Sequence, residues 1–323
     1  MNTKRLAYLL LNEGGIGVVL VFLCVMFSYY VPNFASMLNI TNIFTQISIN
    51  TVIAVGMTFV ILLGGIDLSV GSVLALCTIF AGLAITGKSY STGTAIFLAI
   101  MASMASGMAC GLFNGWVSEK WKIHSFVVTL GMLNMARGGA LQVSNSRTIF
   151  SFPREFNSFG SMSFFGVPVI FIMAILLVLA GHFVLKKTVF GRMIYAIGNN
   201  EEAVRLSGHN TKIYKVTAFI ICGATVGMAA ILYMLRLNIA SPILGNGFEL
   251  TAIAAVVIGG TSMSGGKGSL IGTFFGAAII GVLNNGLLLL GMSDFARQIV
   301  TGAIIVVAVV LDTYRAKVSL MLR

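Results

Sequence analysis

Long apolar stretches alternate with short polar ones along this chain, and the polar interruptions fall at near-regular intervals. Runs of about 20 apolar residues are long enough to cross a bilayer as helices. The pattern predicts spans at roughly 14–32, 41–64, 68–86, 92–117, 125–143 and 167–185. Further spans follow from Lys215 to about Leu235 and at roughly 248–258, 270–290 and 295–311. The expected fold is therefore an all-α polytopic membrane protein of about ten transmembrane helices, one transmembrane domain over 1–323. Lys4 and Arg5 precede the first span, and Tyr29-Tyr30-Val31-Pro32 is a poor signal-peptidase site, so that span is expected to be retained.

Two polar interruptions are alike. Gly64–Ser72 reads GGIDLSVGS and Gly259–Ser269 reads GGTSMSGGKGS, each between apolar runs. Superimposed, Gly64, Gly65, Ser69 and Gly71 meet Gly259, Gly260, Ser264 and Gly266, and Asp67 meets Ser262. GLFNG at Gly111–Gly115 is echoed by GVLNNG at Gly281–Gly286. Glycine-interrupted helices in two related halves, about 33–143 and 213–312, are the pattern of a transporter built from internal repeats. The matched breaks lie six spans apart, which implies parallel repeats unless 236–258 holds a re-entrant piece.

Composition excludes a soluble domain: 58% of residues are hydrophobic and only 9% charged, with a mean hydropathy of +0.99. Globular proteins carry about 25% charged residues. The net charge of +11 does not form a stripe, so nucleic acid is not the expected partner. Basic residues cluster instead in alternate loops, with Lys4, Arg5, Lys120, Lys122, Lys186, Lys187, Lys215, Lys267 and Arg315 on one side. Lys88, Arg137, Arg147, Arg154, Arg236 and Arg297 lie on the other. The positive-inside rule then places both termini and 186–215 in the cytoplasm and 144–166 outside. Cys24, Cys77, Cys110 and Cys222 lie within apolar runs and read as packing residues. His124, His182 and His209 are dispersed and read as interfacial.

The most informative polar stretch is 186–215. Glu201 to Ser207 reads as a short helix, with Asn199 or Asn200 as its cap, Glu201 and Glu202 in its positive first turn, and Gly208 as its stop. It is either an ordinary solvated loop or a rigid knob presenting Ala203, Leu206 and the flanking charges, Arg205 among them, to a cytoplasmic partner. Elsewhere, polar residues inside spans must face other helices or a cavity. Gln46, Asn50, Thr51, Asn114 and Asn284 are accordingly either interhelical hydrogen-bonding groups or the lining of a solute path. Asp67 is either a cap for the third span, accepting from Ser69 or Val70, or a proton-coupling carboxylate; Ser262 at the matching position favours the cap. GGKGS at Gly265–Ser269 is not a nucleotide-binding P-loop, because Thr261 stands where its first glycine belongs.

GMTFVILLGGIDLSVGS (Gly56–Ser72), YAIGNNEEAVRLSG (Tyr195–Gly208), IAAVVIGGTSMSGGKGSLIGT (Ile253–Thr273) and LNNGL (Leu283–Leu287) closely resemble the ribose-type ABC importer permeases, over about Pro32 to Asp312. The resemblance implies a bacterial inner-membrane permease for a ribose-like monosaccharide, working as a homodimer with a cytoplasmic ATPase and a periplasmic sugar-binding protein. ATP and Mg would be held by the ATPase and no cofactor by this chain, which is not itself an enzyme. Glu202-Ala203 and Gly208 resemble a shortened form of the family's ATPase-docking signature, with Val204 departing from it. Arg147, Arg154 and Arg236 then suit docking of the binding protein, or simply the headgroup boundary. A self-contained ion-coupled secondary transporter of a small polar solute is the rival reading, and Asp67 is the residue it would need.

Overall fold

The computed structural model describes residues 15–87 and 90–321, with side chains as far as Val310. Lys4, Arg5, Lys88 and Arg323 therefore lie outside the described residues. The chain is helical almost throughout: α1 (Gly15–Tyr30), α2 (Met37–Leu62), α3 (Val70–Ile85), α4 (Thr92–Trp121) and α5 (Ser125–Val143) come first. A connection holding β1 (Ile149–Phe150), α6 (Arg154–Ser161), β2 (Ser163–Phe164) and β3 (Val167–Pro168) leads to α7 (Val169–Lys187). Then come α8 (Val189–Asn199), α9 (Glu201–Leu206), α10 (Thr211–Leu237), β4 (Ile239–Ala240), α11 (Phe248–Ile258), α12 (Leu270–Leu289) and α13 (Asp294–Met321).

Among the described residues five helices, α2, α4, α7, α10 and α12, are long and apolar enough to cross a membrane; α1, α3 and α11 are apolar but shorter. Their outward faces stay apolar, as at Phe22, Phe97, Leu176 and Phe183, each at least 59% exposed. So extensive an apolar surface requires lipid around it.

α2 is the central post. From Ile47 to Leu62 every residue is buried, and α7, α10, α11 and α12 all pack against it. Thr58 bonds inside the protein: its Oγ1 donates to Ala54 O at 2.7 Å and lies 2.9 Å from Thr273 Oγ1 on α12. The tightest helix pair is α4 with α10. Gly107 and Gly111 face the backbone of Gly223 and Phe219, Gly115 faces Val216, and Ser103 Oγ donates to Gly227 O at 2.7 Å. The three glycines spaced four apart on α4 thus bring two backbones together, as small residues do in membranes.

One stretch packed along α3 is only half helical. Ala240 lies beside Gly82 near the end of α3, and Gly245 lies against Gly71 near its start. The segment Ser241–Gly247 therefore runs down α3 without forming a helix, and α11 completes the passage. Backbone groups cannot be left bare in the hydrocarbon. Arg137 on α5 supplies the missing donors, to Pro242 O at 2.5 Å and Leu244 O at 2.8 Å, while Glu249 Oε1 accepts from Gly247 N at 3.2 Å.

Candidate functional site

The end of the molecule carrying α8 and α9 gathers most of the chemistry. Asn200 Oδ1 accepts from Ala203 N at 3.0 Å and starts α9; Gly208, at φ +89°, ends it. The six-residue helix has two sides. Glu201 and Val204 point inward, Val204 being buried, while Glu202, Ala203, Arg205 and Leu206 are exposed. Glu202 and Arg205 pair at 2.7 Å on that outer side, and Leu206 is 78% exposed.

Glu201 ties the knob to the helices behind it. Its carboxylate meets Lys215 Nζ at 2.6 Å and accepts from Thr211 Oγ1 at 3.0 Å. Lys215, at the start of α10, also holds Glu119 at 3.0 Å, and Glu119 lies buried near the end of α4 with Lys122 at 3.6 Å. Burial alone would push the Glu201 carboxyl up, but the hydrogen bond and charge of Lys215, with the Thr211 hydroxyl, hold it below the usual glutamate range. A cavity of about 300 Å³ adjoins this triad, lined by Gly64, Gly65, Glu119, His124, Glu201 and Lys215 among others.

The first glycine break borders that cavity. Gly64 has φ +76°, which glycine adopts freely. Past it, Asp67 is buried and Oδ1 accepts from Ser69 N at 2.9 Å and Ser69 Oγ at 2.6 Å. Asn114 Nδ2 donates to Ser69 Oγ at 3.0 Å. α5 supplies hydroxyls: Ser125 Oγ accepts from Ile66 N at 3.2 Å and Thr129 Oγ1 from Leu68 N at 3.1 Å. In the second break Ser262 Oγ accepts from Ser264 N at 3.4 Å, the counterpart of Asp67 with Ser69.

The two breaks meet. Gly266 N donates to Leu62 O at 2.8 Å, and Gly265 packs against Leu62 O and Gly64 N. α8 closes over them: Asn199 Nδ2 donates to Gly266 O at 3.2 Å and Tyr195 Oη to Gly268 O at 2.9 Å. The sequence superposition fails at one point. Gly71 lies inside α3, where it admits the Gly245 carbonyl, whereas its match Gly266 has φ +71° and the next helix starts only at Leu270. Gly71 is a packing glycine rather than part of the break. Gly259 ends α11 and packs on Gly272, and Gly260 has φ +82°.

The other sequence-selected residues are scattered. Asn50 and Thr51 are buried in α2, with Thr51 Oγ1 and Asn114 Oδ1 lacking a partner among the described residues. Gln46 is half-buried; Asn284 Oδ1 accepts weakly from Thr301 Oγ1 at 3.4 Å. Its neighbour Asn285 instead forms a reciprocal amide pair with Asn39, both bonds 2.9 Å. None of these borders the cavity beside the break. Arg147, Arg154 and Arg236 are exposed, at the opposite end of α10 from Thr211, where β1 pairs with β4 and Gly160 packs on Leu235. Glu119, Lys215, Tyr195, Arg137 and Glu249 escaped sequence reasoning as site residues. The one available signal was that ionisable groups close to apolar runs are scarce in this chain.

An apolar exterior, buried interhelical hydrogen bonds, a half-unwound segment packed along α3 and an ion-tethered knob at one end define a multi-pass membrane permease. Over residues 39–309 the chain matches the family described as the branched-chain amino acid transport system / permease component, and it belongs to that family. It is 43% identical over 286 residues to the ribose import permease protein RbsC of Escherichia coli (strain K12), covering 87% of each chain. Against the D-allose transport system permease protein AlsC of the same strain, identity is 38% over 280 residues, covering 86% of this chain and 84% of the relative. With the L-arabinose ABC transporter permease protein AraH of Azospirillum brasilense it is 33% over 306 residues, covering 95% and 89%. No solved structure matches the chain.

Proposed function

We propose that this chain is the membrane-spanning subunit of an ATP-driven importer, passing a ribose-like monosaccharide inward across the bacterial inner membrane. The observation that carries the reading is the two-sided α9. Its outer side (Glu202, Ala203, Arg205, Leu206) is exposed to dock a cytoplasmic ATPase, while Glu201 is tethered to Lys215, which also holds Glu119. Nucleotide-driven movement of the ATPase would then reach α4 and α10 through Lys215, and the joined glycine breaks through α8. Discrete packing arrangements of this kind convert a push at one end into a change of access.

The sugar class follows from the ribose, allose and arabinose permeases named above. The same reading places a second copy of the chain alongside the first, about ten crossings in each, both termini and the α8–α9 end in the cytoplasm, and the arginines Arg147, Arg154 and Arg236 beneath a periplasmic sugar-binding protein. The two breaks meeting at one end favour parallel halves. ATP and Mg belong to the ATPase partner. Proteoliposomes holding the chain, the ATPase and the binding protein encoded beside it test this directly. Uptake of labelled D-ribose that requires internal ATP supports the proposal; uptake driven by a proton gradient without ATP refutes it.

A further inference from the structure

The polar residues buried around α2 are enclosed within one chain, so the sugar's route must use polar groups on its surface. The structure offers such a surface at membrane depth. Arg137 lies 12 residues beyond Ser125 in α5, or roughly 18 Å at ~1.5 Å per residue, and the hydrocarbon is about 30 Å thick. Along this part of α5 the open arc carries Gly131, Asn134, Gly138 and Gln142 with Met135 among them, all exposed, with open space over both glycines. Among the described residues Asn134 Nδ2 donates to its own helix alone, to Leu130 O at 3.2 Å. Beside it runs the unwound segment, where exposed Asn246 accepts from Arg137 at 2.7 Å through Oδ1. Amides facing lipid would go unsatisfied, and non-helical backbone at this depth is tolerated only within protein or against a watery cavity.

We infer that Asn134 and Asn246 face the translocation path and contact the sugar hydroxyls, and that Arg137 positions Asn246 by holding the Pro242–Asn246 backbone. An amide offers a donor and an acceptor, as a hydroxyl does, and two such groups without a charged contact bind weakly enough for passage. The inference rests on the proposed sugar import.

Thiol accessibility in the assembled importer tests it, in proteoliposomes with the ATPase and binding protein. Asn134→Cys is treated with a membrane-impermeant methanethiosulfonate in a chain with Cys24→Ser, since Cys77, Cys110 and Cys222 are buried. Expected is modification that blocks D-ribose uptake and differs by about tenfold in rate between nucleotide-free and vanadate-trapped states, a difference of about 1.4 kcal/mol in barrier. Phe97→Cys, on the apolar face of α4, stays unmodified. Gly138→Cys, with room for its side chain, behaves as Asn134→Cys does and stands in for it if that variant does not assemble. Asn246→Leu lowers the maximal uptake rate about tenfold while ATP hydrolysis continues, whereas Arg137→Lys retains part of the rate. Asn134 and Gly138 cysteines as unreactive as Phe97→Cys in both states would overturn the inference with the importer still working. Loss of ATP-driven uptake in the unmodified chain would instead overturn the function on which it rests.

Discussion

The amide of Gly266 donates to the carbonyl of Leu62 at 2.8 Å, so the two glycine breaks of this permease are joined main chain to main chain. No side chain intervenes, and a shift in either break is felt by the other. A Cβ on Gly266 would lie 2.5 Å from Asn199 Cγ, at a φ of +71° that only glycine adopts cheaply. Gly266→Ala should therefore lower the thermal midpoint of the solubilised protein, with a cost of about 1–3 kcal/mol. Gly93→Ala, where nothing lies within 4 Å, should leave it unchanged.

The α4–α10 seam should be less forgiving still. A Cβ on Gly111 would run into the Phe219 carbonyl, a backbone atom that cannot rotate away. Gly111→Val should abolish accumulation of folded protein in the membrane, measured by size-exclusion chromatography in mild detergent, whereas Gly131→Ala should accumulate normally.

Asn39 and Asn285 make a reciprocal pair, with Asn39 Nδ2 also donating to Phe34 O at 2.8 Å, so losing one partner should cost more than its share. Asn39→Leu leaves a buried amide unpaired, at about 1–3 kcal/mol. The Asn39→Leu/Asn285→Leu double variant should be less destabilised than the sum of the singles, with a coupling of about 0.6–1.7 kcal/mol in a double-mutant cycle.

Asp67 separates the importer from an ion-coupled transporter. Its Oδ1 is taken up by the Ser69 amide and hydroxyl, two bonds that an asparagine carbonyl also accepts. Asp67→Asn should therefore keep ATP-driven uptake within about threefold, equivalent to about 0.6 kcal/mol. Asp67→Leu should lose it. Proton-dependent uptake abolished by Asp67→Asn would mean that the carboxylate carries protons.

The Glu201 tether has a defined pH response. Its carboxyl is held below the ordinary range in the folded protein, so it stabilises fully above the unfolded value, about 4.3. That contribution is lost as pH falls through the lower folded value. Thermal midpoints of the native chain and Glu201→Gln should differ at pH 7 and converge below about pH 4.

Much of the local structure was legible in the sequence. Apolar runs bounded the crossings, Asn200 and Gly208 bounded α9, and α4's glycine spacing announced a close helix partner. Which helix it met was not legible, because Gly223 and Gly227 lie in a distant span. α8 reads as polar loop in the sequence, since its buried stripe is just Gly191, Ile194 and Ile197. The Glu119–Lys215–Glu201 triad stayed hidden for a similar reason: charges beside spans look like orientation signals until the fold brings three segments together. Arg137 falls among the outside basic residues by charge pattern, and nothing local marks it as the donor for an unwound segment a hundred positions away.

Coupling of this permease to an ATPase through α9, as proposed, has a direct test. Affinity-tagged chain, withdrawn from its native membrane in mild detergent, should bring a P-loop ATPase with it. The exposed Glu202→Lys variant should be folded yet lose that partner. An ATPase absent from the native preparation, or held equally well by Glu202→Lys, would contradict the account.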